Sequence, residues 1–169
     1  LPAYRRIAPR AEMISTETTR RLIGEMTGPR LKESFTQLNG RVDELKQQIG
    51  AAKSAGEKTV RQQMLRETQD YMREMENFVP ELPNVTFDRD LILHDKAHDL
   101  HLAFRGRAHT AGDLVVLCPQ KKVVATGDVV HGSFPFLGDA FPLDYPRTVI
   151  GIAQMEFTQL AGGHGPAQQ

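Results

Sequence analysis

From Leu31 the apolar positions fall at Leu31, Phe35, Leu38, Val42, Leu45, Ile49 and Ala52, separated alternately by four and three residues. A spacing that averages 3.5 is a heptad seam, so this stretch reads as a helix with one apolar face and polar residues around the rest. Gly50 to Gly56 supplies a turn, and Val60, Met64, Tyr71, Met75 and Phe78 form a second, less regular stripe beyond it. The economical reading is an antiparallel helical hairpin. Upstream, Ser15, Thr18 and Thr19 offer caps for a short helix through Leu22, Ile23 and Met26, which Gly28-Pro29 is expected to end.

After Pro80 to Pro83 the period changes. Val85, Phe87, Leu91 and Leu93 largely alternate with polar residues, Asp95 to Asp99 is a polar turn, and the alternation resumes at Leu100, Leu102 and Phe104, which predicts a β-hairpin. Leu114 to Cys118 and Val123 to Ala125 form a further strand pair around Pro119 to Lys122. A loop rich in Phe, Gly and Pro follows, from Gly132 to Pro146. Pro146 suits the first turn of a helix with Asp144 as its cap, and Val149, Ala153, Phe157 and Leu160 mark one face of that helix before the glycines at 162 and 163 end it.

The 169 residues are enough for one domain with its own core. A single cysteine, Cys118, excludes a disulfide scaffold, and its place at the end of an apolar strand reads as a small hydrophobe rather than a nucleophile. Twenty-one basic residues balance 21 acidic ones, which removes the general electrostatic argument for a nucleic-acid partner. The balance is not local, because residues 1–80 carry 14 basic and 11 acidic side chains and residues 81–169 carry 7 and 10. All six histidines lie in the second part. No run approaches the roughly 18 apolar residues that cross a bilayer. The expectation is a soluble protein, cytoplasmic, or periplasmic after removal of a leader outside this sequence.

Three short motifs end these elements, Gly106 to Asp113 (GRAHTAGD), Thr126-Gly127-Asp128, and Gly163-His164-Gly165-Pro166. Each sets a metal-ligating side chain beside glycine, where the backbone can turn sharply behind the ligand. Imidazole and carboxylate suit Zn²⁺ and Fe²⁺. His94, His98 and His101 with Asp95 and Asp99 make a second cluster, which flanks the hairpin turn and reads as solvated turn residues.

In order and spacing the three motifs resemble the later metal motifs of the metallo-β-lactamase superfamily of zinc-dependent hydrolases. Residues 101–128 look like that family's strand, ligand-histidine loop, two strands and ligand-aspartate turn, and the resemblance runs on through Asp144-Tyr145-Pro146 to GGHGP at 162–166. It implies an α/β fold, part of the family's αβ/βα sandwich, with a helical hairpin inserted. It implies as metal ligands His109 in a three-histidine site, Asp128 bridging two metals or binding the second, and His164 on the second. Two zinc ions are expected in an intact member, with iron and manganese as alternatives, and a metal-bound hydroxide would attack the substrate. The family's first motif, His-x-His-x-Asp-His, is absent from this sequence, so three of seven expected ligands are present and a piece of a longer protein is expected.

On that reading residues 1–30 start the α/β domain, 31–79 are the helical insertion and 80–169 carry the ligands. Thr110 and Asp113 would hold the His109 loop from the outer shell. His131, Phe134, Phe136, Phe141 and Tyr145 are candidates to line a substrate pocket. The substrate would be a small lactone, thioester, β-lactam or related ester. The alternative is a catalytically incomplete fragment or an interaction module that forms a homodimer through residues 31–78, with neither nucleic acid nor membrane as partner.

Overall fold

The period-two segments become strands with the expected pairing. In the computed structural model, which describes residues 2–132 and 136–168, β3 (Asp90–His94) and β4 (Asp99–Ala103) are antiparallel with Leu91 opposite Leu102 and Leu93 opposite Leu100. β5 (Val115–Cys118) continues the sheet against β4, and β6 (Val123–Gly127) pairs antiparallel with β5. The chain then crosses over through α4 (Tyr145–Ala153) to β7 (Gln159–Gly162), which lies parallel to β6 and completes the order β3-β4-β5-β6-β7. Alternation sends Val115, Leu117 and Val124 to one face, where they form a core with Ala103, Ala108, Val129 and with Ile152 of α4. The class is α/β. Cys118, at the end of β5, is a half-buried free thiol.

Two expectations need correction here. Val85 and Phe87 do not extend the hairpin arm. They form β2 (Val85–Phe87), which pairs parallel with β1 (Ile14–Thr16) in a separate two-stranded sheet. The C-terminal helix stops at Ala153, so Phe157 and Leu160, expected on its face, reach the core from the segment after it and from β7. Pairing with β6 outcompetes helix propensity there, since an edge left open beside β6 would leave backbone groups unpaired. Asp144 is the residue before the helix and Pro146 is in its first turn, but the Asp144 carboxylate is turned to Arg107, at 2.6 Å, and does not cap.

The helical part departs further from local rules. Gly28-Pro29 does not end a helix, for α2 runs unbroken from Glu17 to Gly50 with Pro29 inside it. An interior proline lacks a donor and costs about 3 kcal/mol, yet the heptad pattern that follows it outweighs that local cost. The seam predicted from Leu31 is the covered face, with Val42 and Leu45 buried and Leu31, Phe35, Leu38 and Ile49 half-buried. Thr16, not Ser15, caps α2, its hydroxyl accepting from the Thr19 amide at 3.2 Å.

α3 (Ala55–Met75) starts at Ser54, whose Oγ accepts from Glu57 N at 3.1 Å while the Glu57 carboxylate accepts from Lys53 N. Arg61 donates back to the Gln48 carbonyl at 3.2 Å across residues 51–54. The stripe expected on α3 holds only at its end, where Met75 and, beyond the helix, Phe78 are half-buried. Val60, Met64 and Tyr71 are 60%, 41% and 47% exposed, and the less exposed face is Leu65, Thr68, Met72 and Met75.

The chain divides into two compact units, residues 1–6 with 23–81 and residues 7–22 with 82–169. Among the described residues no helix is long and apolar enough to cross a membrane. Gly40 is interior to α2, has helical φ, and would place an added methyl in open space. Gly40→Ala is therefore expected to stabilise the protein by about 0.5–1 kcal/mol through a less disordered unfolded chain, read as a rise in melting temperature.

Candidate metal centre

Sheet direction explains how three motifs far apart in sequence come to one edge. β4 and β6 run the same way because each is antiparallel to β5, and β7 is parallel to β6. The segments that follow β4, β6 and β7 therefore leave the same end of the sheet, and these are the segments carrying His109, Asp128 and His164. The C-terminal end of a parallel pair is where such folds place ligands.

Gly127 ends β6 in the left-handed region at φ +52, which turns the chain out of the sheet at Asp128, and the turn closes with Val129 N donating to Thr126 O at 3.3 Å. The β6–β7 register slips between Ala125 and Gly127, which makes Thr126 the extra residue of a bulge, a device that re-aims side chains at strand ends. Its buried hydroxyl lies within 3.3 Å of Val130 O and 3.4 Å of Ala161 O.

The backbone then stitches the turns at Asp128 and His164 together. Gly163 N donates to Gly127 O at 2.7 Å, and Gly132 N to His164 O at 3.1 Å. An added methyl at Gly163 would sit 2.0 Å from Asp128 Oδ1, and one at Gly162 would sit 2.4 Å from Val130 O. These glycines thus yield the space that the Asp128 turn and carboxylate occupy.

Within this frame His164 Nε2 stands 3.4 Å from Asp128 Oδ1. Two ligands of one tetrahedral cation, each at about 2.0–2.2 Å, are about 3.3–3.5 Å apart, so the pair fits a shared cation in both spacing and donor chemistry. The ring of His131 adjoins both His164, centroids 5.4 Å apart, and His109, centroids 6.2 Å apart and nearly perpendicular. Its Nε2 is shielded from solvent. Among the described residues no group of three or more His, Cys, Asp or Glu side chains is arranged to hold a metal ion. Asp128 and His164 are therefore a close pair, with His131 and then His109 beside them.

The loop carrying His109 is held from several sides. The Asp113 carboxylate accepts from Thr110 N at 2.9 and 3.1 Å and from the Thr110 hydroxyl. Phe141 N donates to Ala108 O at 2.8 Å, and Thr148 Oγ1 to Arg107 O at 2.7 Å. Thr19 Oγ1 donates to Gly112 O at 3.1 Å.

Among the described residues the aromatic candidates stand in different surroundings. Tyr145 donates its hydroxyl to Val129 O at 2.8 Å, beside Asp128 O at 3.2 Å, and so pins the turn that presents Asp128. Burial raises its phenol above the ordinary tyrosine range, and Asp113 and Asp128 raise it further, which keeps it a donor. Phe141 lies under the Arg107 guanidinium, 4.4 Å from ring centroid to Cζ. Phe136 is exposed, and Phe134 lies outside the described residues. The second histidine cluster closes the β3–β4 hairpin. His94 Nδ1 is 2.8 Å from Asp99 Oδ1 and Gln120 Nε2 donates to Oδ2 at 3.1 Å, and these bonds hold the Asp99 carboxyl below the usual range.

The positions that sequence reasoning passed over as site residues, Thr126, Gly162 and Gly163, act by packing. Thr126 stands in the Thr-Gly-Asp motif and the two glycines precede His164, so their proximity to the candidate ligands was the one available signal.

The chain matches the family described as "Metallo-beta-lactamase superfamily" over residues 39–164. The chain belongs to the metallo-beta-lactamase superfamily. Among solved structures, this superfamily member is similar to a metallo-beta-lactamase from Pontibacter korlensis, at 26% identity and TM-score 0.47, over 60% of this chain and 48% of that one. It is also similar to TMB-1, at 19% identity and TM-score 0.48 over 60% and 48% of the two chains. A third is the DIM-1 metallo-beta-lactamase exposed to ceftazidime, at 20% identity and TM-score 0.46 over 60% and 47%. The chain spans about half the length of these structures. No curated protein matches it.

Proposed function

We propose that this chain supplies part of the metal site of a hydrolase acting on a carbonyl-centred substrate, a lactone, thioester, β-lactam or related ester. Superfamily membership supports the reaction class. The observation that carries the site is the 3.4 Å approach of His164 Nε2 to Asp128 Oδ1 in a turn that glycine leaves open. Asp128 and His164 would hold one cation, zinc by the chemistry of these donors, and His109 would serve as a ligand from the neighbouring loop. When bound, such a cation polarises a carbonyl and makes water acidic enough to ionise near neutral pH. The chain's own residues orient the ligands. Tyr145 fixes the Asp128 turn, and Thr110 with Asp113 fixes the His109 loop.

Titration of the purified chain with Co²⁺, followed by its visible absorption, tests this directly. Asp128→Ala and His164→Ala are each expected to weaken binding by at least about tenfold, since loss of a mere outer-shell partner already costs 10–100-fold. His94→Ala, at the opposite side of the β3–β4 hairpin register, is expected to leave it unchanged. Equal affinity in all three variants would sink the assignment.

A further inference from the structure

Residues 81–169 contain four arginines, Arg89, Arg105, Arg107 and Arg147, in a segment whose acidic residues outnumber its basic ones. All four line one groove of about 710 Å³, and Arg21 from the start of α2 joins them. The three lysines of the same segment, Lys96, Lys121 and Lys122, are not among its lining residues. Asp88 and Asp144 are the acidic residues in the wall, so the groove concentrates positive charge on a chain whose net charge is zero.

The walls come from four separate pieces of chain, the start of α2, the turn before β3, the segment after β4, and the start of α4. Asp90 of β3 is opposite Ala103 of β4, so the turn at 88–89 lies at the sheet end from which the His109 loop departs. Two of the arginines are already engaged. Arg105 pairs with Asp90 at 2.8 Å, and Arg107 pairs with Asp144 while lying over Phe141. Arg89 and Arg147 are exposed and hold no ion pair among the described residues.

Arginines gathered around one groove recognise oxyanions, through forked, charge-assisted hydrogen bonds. The volume is that of a small-molecule site. Arginines contributed by four separate pieces of chain suit an anion with oxygens on several sides, such as a tetrahedral oxyanion, better than a planar carboxylate. The start of α4 adds the partial positive charge of a helix N-terminus.

We infer that this groove binds a small phosphate-bearing polyanion, gripped chiefly by Arg89 and Arg147. The inference rests on the arginines alone and stands or falls apart from the metal reading.

Calorimetric titration of the full chain with pyrophosphate, with citrate as the carboxylate comparison at matched ionic strength, tests it. Pyrophosphate is expected to bind saturably and more tightly than citrate. Arg89→Gln with Arg147→Gln is expected to weaken binding by about tenfold or more, whereas the same charge loss on α3, Arg66→Gln with Arg73→Gln, changes it less than about twofold. A measurement that needs no variant accompanies it. Pyrophosphate should slow phenylglyoxal modification of Arg89 and Arg147, mapped by mass spectrometry, and leave that of Arg66 unchanged. Absence of saturable binding, equal loss in both variant pairs, or no protection of Arg89 and Arg147 would overturn the proposal. Citrate binding as tight as pyrophosphate would overturn the phosphate assignment.

Discussion

Gly163→Ala is expected to weaken cation binding at Asp128 by about 10–100-fold and to destabilise the fold by about 1–3 kcal/mol. Gly163 has no positive φ, so alanine is not strained there by its own backbone. The cost is space. The new methyl would lie 2.0 Å from Asp128 Oδ1 and 2.9 Å from the Gly127 carbonyl carbon. The carboxylate can swing into solvent, which takes it away from His164, but the backbone contact can be relieved only by parting the ends of β6 and β7.

Gly127→Ala is the contrasting case, because φ is +52 there but the added methyl meets nothing within 4 Å. It should cost about 1–2 kcal/mol from left-handed strain and leave cation binding nearly intact, and Gly127→Asn should cost less than Gly127→Ala. Thermal melts and Co²⁺ titrations of the variants check both halves. If Gly163→Ala and Gly127→Ala lose cation affinity equally, the space beneath Asp128 is not what matters.

Gly106→Ala should lower stability by about 2–5 kcal/mol, combining backbone strain with overpacking. Its φ of +136 is a conformation that side chains rarely adopt, and the methyl would come within 2.4 Å of Thr148 Oγ1. Thr148 cannot easily retreat, being buried and bonded to Arg107 O. That close approach docks the His109 loop on α4. Placing Gly106→Ala in a Thr148→Ala background removes the clash and keeps the strain, so the double variant should be more stable than the sum of the two single losses by about 1 kcal/mol or more. Denaturant unfolding of the four proteins measures this, and strict additivity would show that Thr148 is not the obstruction.

The sheet was largely legible because strand signals are local. Leu91, Leu93, Leu100 and Leu102 alternate with polar residues, a turn of polar residues separates them, and their pairing follows. Elsewhere a local signal was outweighed. Pro29 marks a helix end in isolation but sits inside α2. Leu160 continues a helical spacing from Val149 but belongs to β7. On α3 Val60, Met64, Tyr71 and Met75 suggested the covered face, but of these only Met75 joins Leu65 and Met72 on it. An irregular apolar spacing does not by itself decide which side of a helix meets the rest of its unit.

By itself the sequence determined the β-rich second half, the start of α4 near Asp144 and Pro146, and the superfamily, since motif order is a property of the chain alone. Only the tertiary structure decided that Asp128 and His164 stand 3.4 Å apart, that His131 adjoins both His164 and His109, and that five arginines share one groove. The reason is range. Turns, caps and alternation are set by neighbours within a few residues, whereas Asp128 and His164 meet only because a crossover through α4 brings β7 parallel to β6.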